Sequence, residues 1–250
     1  MGIRVVTDSE ELTGIGTIKK ENSMSKYEQY KKDVVKYSQM MFAKGYTVGT
    51  GGNVSILVEE EDVLAITPSN REYMDLTPAD ICIVDFDLNI IEGKYNPSRE
   101  TGLHIAVYKN RPDANAVIHS HPVYTSIFAL INKPLPALFD EVTIGIGSIT
   151  DIIPYALSGS DQLVDNVKTK LSNRCNCYIL QNHGALSIGQ TIAKAFRNLE
   201  LMEKSSQVYY QALATGEKPS TLPPEMSDLL FQLMKAEQDN EIERKKNLKK

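Results

Sequence analysis

A chain of 250 residues, 42% apolar and 24% charged, has the make-up of a globular protein of one large or two small domains, which excludes extended disorder. Thirty-two acidic against 27 basic residues leave a net charge of −5, which disfavours a nucleic-acid partner. No apolar run approaches the ~18 residues of a membrane helix, the first residues lack a signal-peptide core, and three cysteines cannot all pair within one chain, so the expected setting is a reducing cytoplasm, away from membranes.

In chain order, residues 1–24 show no sustained periodicity and read as a flexible leader. From Ser25 the spacing of Tyr27, Tyr30, Val34, Tyr37 and Met41 predicts one helical face, with Gly45 as its stop. Residues 54–58, 63–67 and 81–85 read as strands. Asn96-Pro97-Ser98 opens a helix to about Asn110, and residues 116–121 form a further strand before a helix beginning at Pro122. Ser160-Asp161 caps a helix to Leu171, and residues 177–181 read as a buried strand that ends in the turn Asn182-His183-Gly184. A long helix is predicted over 191–215, with Ala195, Leu199, Met202, Ser206 and Tyr209 on one face. The pattern fits one α/β domain over residues 25–216. Residues 217–250 read as a helical, charged tail whose basic end is solvated.

The chain has four histidines. His119 and His121 are two apart at a strand end, so their rings lie on one face and can converge. His183, in a turn expected to lead from a later strand into a helix, is a third candidate, and three imidazoles with an open fourth position suit a catalytic zinc. Taken alone, His-x-His is common and fits ordinary surface histidines better than a metal site. Glu100, in a helix's first turn, is either an acid placed by the macrodipole or a general acid/base beside a metal. His104, one turn on, either packs in the core or contacts Glu100. Gly49-Thr50-Gly51-Gly52-Asn53 is a tight turn or an anion nest, and lacks the Lys-Ser/Thr of a P-loop. Together with Thr67-Pro68-Ser69-Asn70 it suits a sugar phosphate better than either loop alone. Cys82, Cys175 and Cys177 read as buried structural thiols.

Taken in order, Gly51-Gly52-Asn53-Val54-Ser55, Ile66-Thr67-Pro68-Ser69, Pro97-Ser98-Arg99-Glu100, Arg111-Pro112-Asp113-Ala114, Ile118-His119-Ser120-His121-Pro122 and Gln181-Asn182-His183-Gly184 resemble the class II aldolase/adducin family over about Tyr27–Ala212. The resemblance implies a three-layer α/β/α fold around a central, mostly antiparallel sheet, with residues 25–216 as the catalytic domain. It implies a homotetramer with active sites between subunits, acting on a sugar phosphate. It makes His119, His121 and His183 zinc ligands and Glu100 the acid/base that moves a proton at an enediolate. Gly52, Asn53, Ser69, Asn70, Ser98 and Arg99 would surround the phosphate. The implied reaction is a retro-aldol cleavage giving dihydroxyacetone phosphate and an aldehyde.

This chain departs from the family's aldolases at Asn70, where they read Gly, and at Arg99, where they read Ser. Asn with a basic residue at these places is similar to the branch that decarboxylates 3-oxo-tetronate 4-phosphates. Aldolases of the family also use a tyrosine from a neighbouring subunit near the place where this chain reads Leu138-Phe139-Asp140-Glu141, which leaves the proton donor to the leaving group unassigned. The pentulose-phosphate 4-epimerase branch carries Asp in place of Glu100. The non-catalytic adducin branch is the further alternative, against which the complete set of three histidines and Glu100 argues.

Overall fold

In a computed structural model of the chain, residues 25–59 and 61–248 are described; the leader expected over residues 1–24 lies outside them. The helix read from the tyrosine spacing is α1 (Glu28–Ala43). It ends where Gly45 takes φ +71° and its N–H reaches back to the Phe42 carbonyl, a left-handed stop that glycine adopts without a Cβ penalty. The β-branched runs form β1 (Asn53–Val58), β2 (Val63–Ile66) and β3 (Cys82–Asp85), followed by a short β4 (Ile90–Glu92). Then come α2 (Thr101–Asn110), β5 (Ala116–Ser120), α3 (Val123–Ile131), β6 (Leu135–Pro136), α4 (Asp140–Gly145) and β7 (Ile149–Ile153). The chain continues through α5 (Asp161–Leu171), β8 (Cys177–Leu180), β9 (Gly184–Gly189), α6 (Ile192–Ala214) and α7 (Pro224–Leu248). Ser160 and Thr191 cap α5 and α6 by accepting from the N–H groups of Leu163 and Lys194.

The strands form one sheet in the order β4-β3-β2-β1-β5-β9-β8-β7-β6. Its neighbours are antiparallel except β7 and β8. Strand alternation sorts the side chains into two layers. Val54, Ile56 and Ile118 point to one face and pack with Val34 and Met41 of α1 and Phe196, Leu199 and Met202 of α6. Leu64, Ile66, Val117, Leu186 and Ile188 point to the other and pack with Leu103 and Val107 of α2 and Leu163, Val167 and Leu171 of α5. A sheet covered on both faces is the three-layer α/β/α arrangement.

Several elements are additional to those read from the sequence. Asn182-His183 does not lead into a helix. It closes a hairpin, because Ala185-Leu186-Ser187-Ile188 is β9 and pairs with both β5 and β8. The strands β4, β6 and β7 and the helix α4 are likewise short and carry little pattern of their own. Among the described residues, no helix is long and apolar enough to cross a membrane.

The Arg111-Pro112-Asp113 segment has a structural use. The Arg111 guanidinium, 2% exposed, donates to both Asp113 carboxylate oxygens at 2.8 and 2.7 Å, to the Cys175 carbonyl, and to Asn176 Oδ1 at 2.8 Å. It ties the end of α2 to the start of β8. Arg111→Met would strand the buried Asp113 carboxylate, so an unfolding free energy lower by about 3–5 kcal/mol is expected in urea titrations. A loss below about 1 kcal/mol would show the pair to be dispensable.

The helix expected beyond residue 216 packs on the domain through Leu230 and Met234. In its described basic end, Lys245 Nζ donates to the Pro112 and Ala114 carbonyls at 2.8 and 2.9 Å and Arg244 pairs with Glu59 and Glu241.

Candidate active site

The antiparallel register of β1 and β5 sets Asn53 opposite His119. Because Ile118 faces α1 and α6, His119 faces the opposite layer, towards the start of α2. His121 follows one residue beyond the end of β5. His183 arrives from the β8–β9 hairpin, whose Asn182 has φ +53°. Gly184 makes that approach possible: a Cβ there would lie 2.4 Å from the Ser120 carbonyl oxygen and 2.5 Å from His121 Cδ2. Gly52 is similarly constrained, with φ +75° and its would-be Cβ 2.6 Å from the His119 carbonyl oxygen.

The three imidazoles meet. Their nearest donor atoms lie within 4.8 Å of one another, and His119 Nε2 is 3.1 Å from His121 Nε2. His119 Nδ1 lies 2.9 Å from the Ala185 carbonyl oxygen. A carbonyl only accepts, so Nδ1 donates to it and Nε2 is turned towards the other two rings. Burial, helped by the neighbouring imidazoles, pushes the His121 pKa down to about 3 and the His183 pKa to about 4. Both are therefore neutral at physiological pH, as metal ligands must be. Three imidazoles gathered in this way fit a divalent transition metal such as zinc.

Glu100 immediately precedes α2 and is 5% exposed. Its Oε2 accepts from Asn53 Nδ2 at 2.9 Å and its Oε1 from Ser158 Oγ at 2.8 Å. The same oxygens face His119 Nε2 at 3.2 Å and His183 Nε2 at 3.5 Å. Burial would raise the Glu100 pKa, but the adjacent His119 and His183 imidazoles and the Asn53 and Ser158 hydrogen bonds outweigh it and lower the pKa to about 2. It is a carboxylate placed against the histidine cluster. Ser158, in the loop after β7, carries no signal in the sequence that could have marked it. The His104 backbone N–H donates to the Glu100 carbonyl at 3.3 Å, but its fully buried ring bonds to Asn53 and Ser55 and not to the Glu100 carboxylate.

A cleft of about 170 Å³ is lined by Gly52, Asn53, Ser69, Asn70, Ser98 and Arg99 together with Glu100, Ser158 and the three histidines. The three histidines, Glu100 and the six residues expected around the phosphate all border this one space. The two loops are stapled side by side, with Ser69 N–H on the Asn96 carbonyl at 2.9 Å and Ser98 N–H on the Thr67 carbonyl at 3.1 Å. Asn70 holds φ +55°, a conformation asparagine tolerates. Arg99 is exposed at the rim, whereas Asn53 is buried with both ends of its amide engaged. Asp140 and Glu141 open α4 and do not line the cleft; Glu141 pairs with Lys204 at 3.0 Å. The three cysteines are free and buried.

This arrangement can be set beside known proteins. The family model described as "Class II Aldolase and Adducin N-terminal domain" matches residues 32–210. A 5-deoxy-D-ribulose 1-phosphate aldolase of Bacillus thuringiensis is 36% identical over 200 residues, covering 80% of this chain and 92% of the relative. An L-fuculose phosphate aldolase of Methanococcus maripaludis is 33% identical over 178 residues, covering 71% and 94%. A solved L-fuculose 1-phosphate aldolase superposes with a TM-score of 0.78 at 31% identity, over 83% of this chain and 96% of that one. The match runs through the loops, the strand end and the hairpin that build the cleft, and the chain belongs to the class II aldolase family as one of its enzymes.

Proposed function

We propose that this chain is a zinc-dependent lyase that splits a C–C bond of a ketose 1-phosphate by a retro-aldol reaction, releasing dihydroxyacetone phosphate and an aldehyde. The observation that carries the reading is the convergence of three imidazoles and a carboxylate on one cleft. Held by His119, His121 and His183, zinc would act as a Lewis acid on a carbonyl oxygen and its neighbouring hydroxyl. Glu100 moves the proton at the carbon where the bond breaks. In the synthetic direction its carboxylate takes that proton from dihydroxyacetone phosphate, and in the cleavage direction it returns it. Asn53 and Ser158 each donate to one Glu100 oxygen and so fix its orientation. Gly52, Asn53, Ser69, Asn70, Ser98 and Arg99 border the substrate phosphate.

The names of the relatives, aldolases of two different sugar phosphates, support the aldolase branch. Arg99 at the rim favours a second reading, in which its guanidinium binds a carboxylate and the enzyme decarboxylates a 3-oxo acid phosphate. Glu100 in place of Asp counts against epimerisation, and the complete donor set counts against a non-catalytic adducin-like role. A panel of ketose 1-phosphates and 3-oxo-tetronate 4-phosphates, with product identification, separates these. Dihydroxyacetone phosphate and an aldehyde from a ketose 1-phosphate are expected; CO2 from a 3-oxo acid, with no aldol cleavage, would overturn the aldolase assignment.

The reading includes a homotetramer in the cytoplasm. Val123, Leu130 and Ile131 of α3, with Phe139, Tyr155 and Leu157, are 42–71% exposed, which supports burial against further copies. Light scattering should give about four chain masses, and a monomer at working concentration would refute the assembly. Free, buried thiols support a reducing compartment.

A further inference from the structure

A file of buried polar side chains runs from Glu100 into the core between β1 and α2. Asn53 and Ser55 lie two apart on β1, and His104 and Tyr108 four apart on α2, so each pair shares a face. Asn53 Nδ2 reaches Glu100 Oε2 at 2.9 Å, and Asn53 Oδ1 lies 2.5 Å from His104 Nε2. His104 Nδ1 lies 2.6 Å from Ser55 Oγ, which is 2.6 Å from the Tyr108 hydroxyl. His104 is fully buried, and burial moves its pKa down to about 3, so it is a neutral ring.

The direction of every bond follows from the one end that has no choice. An ionised carboxylate only accepts, so the Asn53 NH2 faces Glu100 and the Asn53 carbonyl faces His104. His104 Nε2 must then carry the ring's single proton, and Nδ1 is an acceptor. Ser55 spends its one proton on Nδ1, and the Tyr108 hydroxyl donates to Ser55. The result is a one-way chain: Tyr108 to Ser55 to His104 to Asn53 to Glu100.

We infer that His104 is a positioning residue, whose Nε2–H pins the Asn53 amide in the one orientation that donates to Glu100. The inference deepens the proposed function and rests on Glu100 being its acid/base. Without His104 the amide is free to turn. Its oxygen would then oppose an anionic oxygen, and the carboxylate would lose the donor on its Asn53 side. A leucine of similar bulk fills the space but supplies no donor, whereas glutamine can both donate to Asn53 and accept from Ser55.

The test has two parts. With 15N-histidine-labelled protein, the His104 imidazole should show the proton on Nε2. A proton on Nδ1 in the folded protein overturns the chain. In steady-state kinetics, His104→Leu should lower kcat by about 10–100-fold with KM within about threefold and bound zinc unchanged, the scale of lost outer-shell support. His104→Gln should recover most of that loss. A folded His104→Leu with wild-type kcat, or a folded His104→Gln no better than it, overturns the inference. If His104→Leu does not fold, His104→Met, which also fills the space without a donor, takes its place with the same expected loss, and a folded His104→Met with wild-type kcat overturns the inference; the tautomer measurement on the wild-type protein decides independently of either variant. Failure of the underlying reading is separable: it shows as an active Glu100→Gln enzyme, irrespective of His104.

Discussion

Glu100→Gln is expected to lower kcat by about 10²–10⁴-fold, the range lost with a general acid/base, while about one zinc per chain is retained. The substitution is close to isosteric. A glutamine oxygen can still accept from Asn53, and its NH2 can donate to the Ser158 hydroxyl, so both partners of the carboxylate stay paired. What disappears is the group that can take up and return a proton. Burial, 5% exposure and the flanking imidazoles leave little room for solvent to substitute for it. The measurement is single-substrate kinetics on the ketose 1-phosphate found by the panel, with metal analysis of the same preparation. Turnover within about threefold of wild type would remove Glu100 from the mechanism.

His183→Ala is expected to abolish measurable turnover and reduce bound zinc well below one per chain, because a three-ligand site becomes a two-ligand one. Among the three histidines it is the informative one to remove. Its Nδ1 has no hydrogen-bond partner among the described residues, and its ring lies at a hairpin tip. The folded state therefore loses little when the ring is deleted. His119 differs, since its Nδ1 donates to the Ala185 carbonyl and its removal would orphan a buried acceptor between β5 and β9. A thermal midpoint within a few degrees of wild type, together with lost zinc, is the expected pair of results. The same preservation of fold is expected on chelation, because two apolar layers stabilise the sheet independently of the site. Full zinc content in His183→Ala would show that the ion is held elsewhere.

Much of the scaffold was legible in residue spacing. The tyrosine-rich face of α1, the β-branched runs of β1, β2, β3 and β5, and the capped starts of α5 and α6 each carry their own periodicity or turn chemistry. The candidate residues were legible as well, because His119 and His121 sit two apart on a strand and the loop motifs occur in the family's order. The elements missed are short or weakly patterned. β9 reads as a loop because Ala185-Leu186-Ser187-Ile188 is brief and mixes a polar residue into an apolar run, although all of it is buried.

What the chain could not decide locally was who stands next to whom. The insertion of β9 beside β5, with Gly184 leaving no Cβ to meet the Ser120 carbonyl, is what carries His183 to His119 and His121. The register of β1 on β5 made Asn53, expected beside the phosphate, also the link between His104 and Glu100. Ser158 joined the site from a loop with no distinguishing pattern. By itself the sequence determined the helices, the strands and the chemistry of the donors, since those depend on neighbours a few residues away. Only the tertiary structure decided which donors share a site and which way each hydrogen bond points, since these depend on sheet order and on partners brought together from remote segments.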